Sequence, residues 1–141
     1  MRIKLFDYLE DLKKEKEEIY HAIDEVFNSG SLILGEKVKN FEERFSLYCG
    51  RKFGVGVGNG TDAIFLALKA INIGIGDEVI TVSNTAVPTV SAITATGAKA
   101  VFVDIEEDTY LMNVDKIENV ITSKTKCILP VHLYGQCVDM K

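Results

Sequence analysis

An α/β fold, a three-layer α/β/α sandwich around a mainly parallel sheet with an N-terminal helical segment, is predicted by three observations. Near Gly50 the texture changes from helical spacing to short apolar runs alternating with helices of about ten residues, the pattern of strand–helix units. From Phe53 to Ile71 an apolar run enters a glycine-rich turn, and the turn passes straight into a helix. That helix is apolar nearly all round (Ala63, Ile64, Phe65, Leu66, Ala67, Leu68, Ala70, Ile71), as a helix buried inside a larger body must be.

Over Leu9–Phe27 the residues Leu12, Ile19, Ile23 and Val26 share one helical stripe, and Asn28-Ser29-Gly30-Ser31 stops it. A second helix is predicted over Glu36–Tyr48, with Val38, Phe41, Phe45 and Tyr48 as its buried face. Both stripes read as core or subunit contact. Phe53–Val57 is predicted as a strand, Thr61–Ile71 as a helix and Glu78–Val82 as the next strand. Thr85 is placed as the cap of a helix with Pro88 in its first turn, ending at Gly97. Lys99–Asp104 is a third strand. Asn113 caps a short helix through Ile121 with Ile117, Val120 and Ile121 inward, and Cys127–Val131 is a fourth strand. Asp139-Met140-Lys141 has the look of a helix's first turn, so the chain reads as a fragment or half of a split protein.

Composition narrows the classes of function. The 141 residues are 47% apolar and 26% charged, a globular mixture with enough chain for a core. A net charge of -5 argues against a nucleic-acid groove or an anionic membrane surface. In Asp11–Glu18 acids alternate with bases, as on a solvated helix face. Cys49, Cys127 and Cys137 lack paired spacing, so they indicate neither a disulfide framework nor a zinc site; reduced thiols in the cytoplasm are expected. The opening Met1–Tyr8 reaches acids too early for a signal peptide, and Ala86–Val103 is too interrupted to span a bilayer.

The chemistry is concentrated in the glycine-rich turn. A helix start presents unpaired N–H groups and the positive end of the helix dipole, which together seat an anion. Gly58 and Gly60 remove side chains that would hold a phosphate off the backbone, and Asn59 and Thr61 are suitable caps. A tight turn that binds nothing is the competing reading. The dinucleotide fingerprint fits poorly: the glycines fall at 56, 58 and 60, and Ser83-Asn84-Thr85 stands where an acid should close the next strand. No Gly-Lys-Ser/Thr comes after the turn to make a phosphate-binding loop of the Walker type. His21 reads as a surface residue, His132 as a strand-end candidate, and Asp104 with Glu106-Glu107-Asp108 as shapers of a turn. Lysines 52, 69, 99 and 126 have no visible reason for a lowered pKa.

Several segments in unbroken order then resemble one family. They are Gly35-Glu36-Lys37-Val38 with Phe41-Glu42, Asn59–Ala63, Ile73–Ile80, Gly97–Asp104, Thr125-Lys126 and Pro130-Val131-His132-Leu133-Tyr134-Gly135-Gln136. The family is the DegT/DnrJ/EryC1/StrS group of sugar aminotransferases, pyridoxal-phosphate enzymes of the aspartate-aminotransferase fold type. The resemblance implies that Gly60 and Thr61 hold the 5′-phosphate of the cofactor, pyridoxal 5′-phosphate. Asp62 beside that phosphate is a conflict of charge unless its carboxylate points away and its N–H inward. The family usually has an aromatic ring, stacked on the pyridine ring, where this chain has Ala86.

The resemblance further implies amino transfer, from glutamate, to a nucleotide-linked keto sugar, by a cytoplasmic homodimer. Residues 1–50 are then an N-terminal helical segment and 51–141 the first part of the cofactor-binding large domain. The acid that pairs with the pyridine nitrogen and the catalytic lysine are both expected beyond Lys141, so this stretch holds no catalytic residue and is expected to be inactive alone. A dehydratase of the same fold, with histidine for the lysine, and a non-catalytic remnant stay open.

Overall fold

The computed structural model describes residues 7–140. Met1–Phe6, which bear on the leader reading, and Lys141, the end of the expected last helical turn, lie outside them. The chain divides into two compact units between Gly56 and Val57.

In the first unit, helix α1 spans Leu9–Ser29 and helix α2 Glu36–Tyr48. Gly30 ends α1 at φ 71°, with its N–H on the Phe27 carbonyl, a left-handed cap that glycine adopts without penalty. An ion pair at 2.6 Å joins Lys37 of α2 to Glu25 of α1. The expected burial of the two apolar stripes is not found. Leu12, Ile19 and Ile23 are exposed, as are Val38, Phe41 and Phe45, and Tyr48 is 88% exposed; the buried residue of α2 is Ser46. Two short helices cannot cover both of their own apolar faces, because the surface of so small a unit outweighs its interior.

The strand predicted over Phe53–Val57 is absent, and the segment is irregular. A strand exists only through a paired neighbour. Here the Gly56 N–H donates instead to the Glu42 carboxylate at 2.6 Å. Gly54 lies so close to α2 that a Cβ on it would stand 2.7 Å from the Glu42 carbonyl oxygen. Gly54 and Gly56, two glycines of the predicted strand, thus serve packing on α2.

The second unit runs α3 (Gly60–Ala70), β1 (Glu78–Val82), α4 (Val87–Ala95), β2 (Lys99–Val103), two 3-10 turns (Val114–Lys116 and Glu118–Val120) and β3 (Thr125–Ile128). The sheet is parallel, in the order β2-β1-β3. Alternation along the strands gives it two apolar faces. On one, Val79, Ala100 and Cys127 pack with Ile64 and Leu68 of α3, Ile93 of α4 and Ile73. On the other, Ile80, Val82, Val101 and Val103 pack with Leu111, Met112, Ile117, Val120 and Val138. The result is a sheet covered on both faces, helices on one side and turns on the other.

Three boundaries differ from expectation. The N-cap of α4 is Ala86, not Thr85, whose hydroxyl instead lies 2.8 Å from that of Thr89. Asn113 does cap, accepting from the Asp115 N–H at 3.1 Å, but it opens a pair of 3-10 turns with Ile121 exposed rather than inward. The third strand of the sheet begins two residues early and stops at Ile128, and Asp139-Met140 is irregular. Helix α3 is also less buried than its apolar surface suggested: Leu68 is buried, while Leu66 and Ile71 are exposed.

Candidate functional site

The topology creates the site. β1 lies at the centre of the sheet, and the chain leaves its carboxyl end toward β2. Parallel α/β sheets bind their ligands outside the carboxyl ends of the strands. A tight return follows α3. Ile73 N–H bonds to the Leu68 carbonyl, Asn72 adopts φ 63°, and the Asp77 carboxylate accepts from the Gly74 N–H at 2.9 Å. The end of α3 is thereby joined tightly to the start of β1, with Ile64 and Leu68 packed on the sheet.

The cap of α3 is more elaborate than a single bond. Asn59, extended at φ -167°, accepts from the Asp62 N–H through Oδ1 at 2.9 Å and donates through Nδ2 to the Asp62 carboxylate at 3.0 Å. The Asp62 N–H, whose direction the sequence left open, is occupied by Asn59 Oδ1. The carboxylate folds back beside Gly58, where a Cβ would lie 2.9 Å from Oδ2. Ala63 N–H bonds to the Asn59 carbonyl at 3.1 Å. The N–H groups of Gly60 and Thr61 meet no acceptor among the described residues. Gly60 is exposed, and a Cβ there would meet nothing within 4 Å. Two open amides, a hydroxyl and a positive helix end can accept a phosphoryl group.

Beyond the helix start, Ala86 sits exposed on the loop leaving β1, between Val82 and α4. The other sequence candidates resolve into structural roles. The Nδ1 of His132 accepts from the Val138 N–H at 3.1 Å, closing the loop after β3. His21 lies 3.6 Å from Glu25 on α1. Lys52 stands over the Phe53 ring and Lys99 beside Glu78. Asp104, Glu106, Glu107 and Asp108 line an open hollow of 930 Å³ with Lys116. The Ile105 N–H, and then Lys116 at 3.3 Å, hold the Asp104 carboxyl below its usual range, and the Glu106 carboxylate accepts from the Thr109 hydroxyl at 3.1 Å, so these two acids shape the turn. No cluster of His, Cys, Asp or Glu fit for a metal occurs among the described residues. Nor, among them, is any helix long and apolar enough to cross a membrane.

Sequence reasoning missed two contacts at the rim. Asn84 Nδ2 donates to the Tyr110 carbonyl at 3.3 Å, and the Tyr110 and Tyr134 rings meet edge to face at 6.3 Å. Both tyrosines have positive φ, 60° and 56°. Nothing in the letters signals a left-handed tyrosine; the only sequence cue was that Tyr134 precedes Gly135.

The pattern of the DegT/DnrJ/EryC1/StrS aminotransferase family matches residues 13–141. The chain belongs to this family. It is 51% identical over 140 residues to a dTDP-3-amino-3,4,6-trideoxy-alpha-D-glucose transaminase of Micromonospora megalomicea subsp. nigra, covering 99% of this chain and 37% of that protein. A pleiotropic regulatory protein of Geobacillus stearothermophilus is 45% identical, with 100% and 38% covered. Among solved structures, DesV of S. venezuelae superposes with a TM-score of 0.94 at 40% identity, over 99% of this chain and 38% of that one. NtdA of Bacillus subtilis, with PMP bound, gives 0.89 at 37% identity, over 99% and 33%. The chain thus spans well under half the length of these relatives.

Proposed function

We propose that the whole protein transfers an amino group, with glutamate as donor, to a keto sugar linked to a nucleotide, using pyridoxal 5′-phosphate. The observation that carries this reading is the pair of unpartnered amides at Gly60 and Thr61, at the open start of α3 in a chain of this family. Relatives named as dTDP- and UDP-sugar aminotransferases support the substrate class, and solved relatives in PMP and PLP forms support the cofactor.

In this reading Gly60 and Thr61 donate N–H bonds to the phosphate, and the Thr61 hydroxyl adds a further contact. Asn59 and Asp62 hold each other so that the amides stay aimed outward. Ala86 faces the pyridine ring with a methyl group, which leaves about 1 kcal/mol of stacking unclaimed but widens the crevice. When bound, the cofactor stabilises negative charge developing at the substrate carbon. The lysine that bonds the cofactor and moves the proton lies beyond Lys141, and with it the acid facing the pyridine nitrogen. Residues 1–50 are a helical segment and 51–141 the first part of the cofactor-binding large domain. The working protein is a cytoplasmic homodimer, to which the exposed apolar stripes of α1 and α2 are suited.

Gly60→Pro tests the seat directly. Proline at the first helical position deletes one donor while its φ suits the helix, and extended Asn59 tolerates a proline after it. Inorganic phosphate titrated into ¹⁵N-labelled chain should move the Gly60 and Thr61 amide signals. In the variant, affinity should fall about tenfold, the scale of one hydrogen bond to a charged group, with stability kept. Phosphate that leaves both signals unmoved in the native chain refutes the reading. Borohydride treatment with pyridoxal 5′-phosphate should label no particular lysine of this chain.

A further inference from the structure

We propose that Tyr110 is a positioning residue: its left-handed backbone aims a carbonyl at Asn84 and so sets the loop that presents Ala86 to the cofactor ring. The inference rests on the reading of that loop as the ring-facing wall, and it assigns a role to a residue in the loop that follows β2.

Few restraints act on the loop after β1. The Thr85 N–H turns back to the Ser83 carbonyl at 2.9 Å, and the Thr89 N–H reaches the Ala86 carbonyl at 3.0 Å, both local bonds. The Asn84 amide bonded to the Tyr110 carbonyl at 3.3 Å is what ties the loop to another part of the sheet's rim. Tyr110 can offer that carbonyl because its φ is 60°. A bulky residue occupies that region only when its surroundings over-determine it. The surroundings here are specific. The Tyr110 N–H is held by the Glu106 carbonyl at 3.0 Å, Leu111 and Met112 just beyond are buried in the core, and the ring abuts Tyr134 at 88°. Tyr134, itself left-handed, is held in turn: Gln136 Nε2 donates to the Thr109 carbonyl at 3.4 Å, and His132 closes its loop on Val138. The loops leaving β1, β2 and β3 are thereby joined into one rim. Backbone strain kept by side-chain contacts at the carboxyl edge of a parallel sheet is where preorganisation is needed.

The test compares two probes on the full chain, pyridoxal 5′-phosphate and inorganic phosphate. Asn84→Ala removes the tie, and Asn84→Asp removes the donor at constant shape should the alanine variant fold poorly. Tyr110→Val makes the left-handed backbone unfavourable, whereas Tyr110→Gly keeps it and removes only the ring. Asn84→Ala, Asn84→Asp and Tyr110→Val should each weaken pyridoxal 5′-phosphate about fivefold, on the scale of one hydrogen bond, and leave inorganic phosphate unchanged. Tyr110→Gly should stay nearer the native affinity than Tyr110→Val. A merely structural role would lower stability without separating the two probes. Equal losses for both probes, or no loss for either, overturn the proposal. If neither probe binds the native chain, the cofactor reading itself fails, and the proposal with it.

Discussion

The hydroxyl of Thr81 donates to the carbonyl of Leu129 at 2.9 Å, while the Leu129 N–H donates to the Ile80 carbonyl at 2.8 Å. Thr81 is fully buried, so β1 and the segment leaving β3 are clasped together at the carboxyl edge of the sheet.

Thr81→Val keeps the shape and removes the donor. The Leu129 carbonyl loses that partner, and stability should fall by about 1 kcal/mol, read as a lower urea midpoint at unchanged slope. An unchanged midpoint would mean that the clasp contributes nothing.

Gly97 comes after α4 at φ +89°, and a Cβ on it would lie 2.7 Å from Cγ1 of Ile75. Gly97→Ala meets both a backbone penalty and a clash at the entry to β2. A loss of roughly 1–3 kcal/mol is expected, visible in thermal melts. Gly60→Ala, where the added methyl finds open space, should leave stability nearly unaltered.

Asp104 titrates below the ordinary value of 3.8, first because the Ile105 N–H bonds its carboxylate and then because of Lys116. A carboxyl lowered in the folded state favours folding above its unfolded pKa, and that contribution is lost as pH falls through the folded one. The loss therefore lies in the acid limb, below the ordinary value. Solvent screening keeps the contribution small. Asp104→Asn should flatten the fall of melting temperature between about pH 6 and about pH 2 relative to the native chain. A parallel acid limb in the variant counts against the assignment.

Burial raises the thiol pKa of Cys127, whereas Cys49 and Cys137 are exposed. Because the thiolate is the nucleophile, iodoacetamide near neutral pH should label Cys49 and Cys137 several-fold faster than Cys127. Mass spectrometry of timed samples reads the order. Early labelling of Cys127 would contradict its half-buried place on the sheet.

The sequence alone determined the start of α1, the bounds of α2, the strand Glu78–Val82, the parallel α/β class and the open glycine corner at Gly60, because each rests on local periodicity or turn chemistry. Only tertiary structure decided that Phe53–Val57 is no strand, since pairing needs a neighbour that letters do not name. It also decided that Asn59, rather than an incoming anion, holds the Asp62 N–H, and that Tyr110 turns left-handed to meet Asn84, 26 residues away in the chain. A local pattern encodes what a segment can do. Which hydrogen-bond partner a group finally takes depends on what the fold brings within about 3 Å of it.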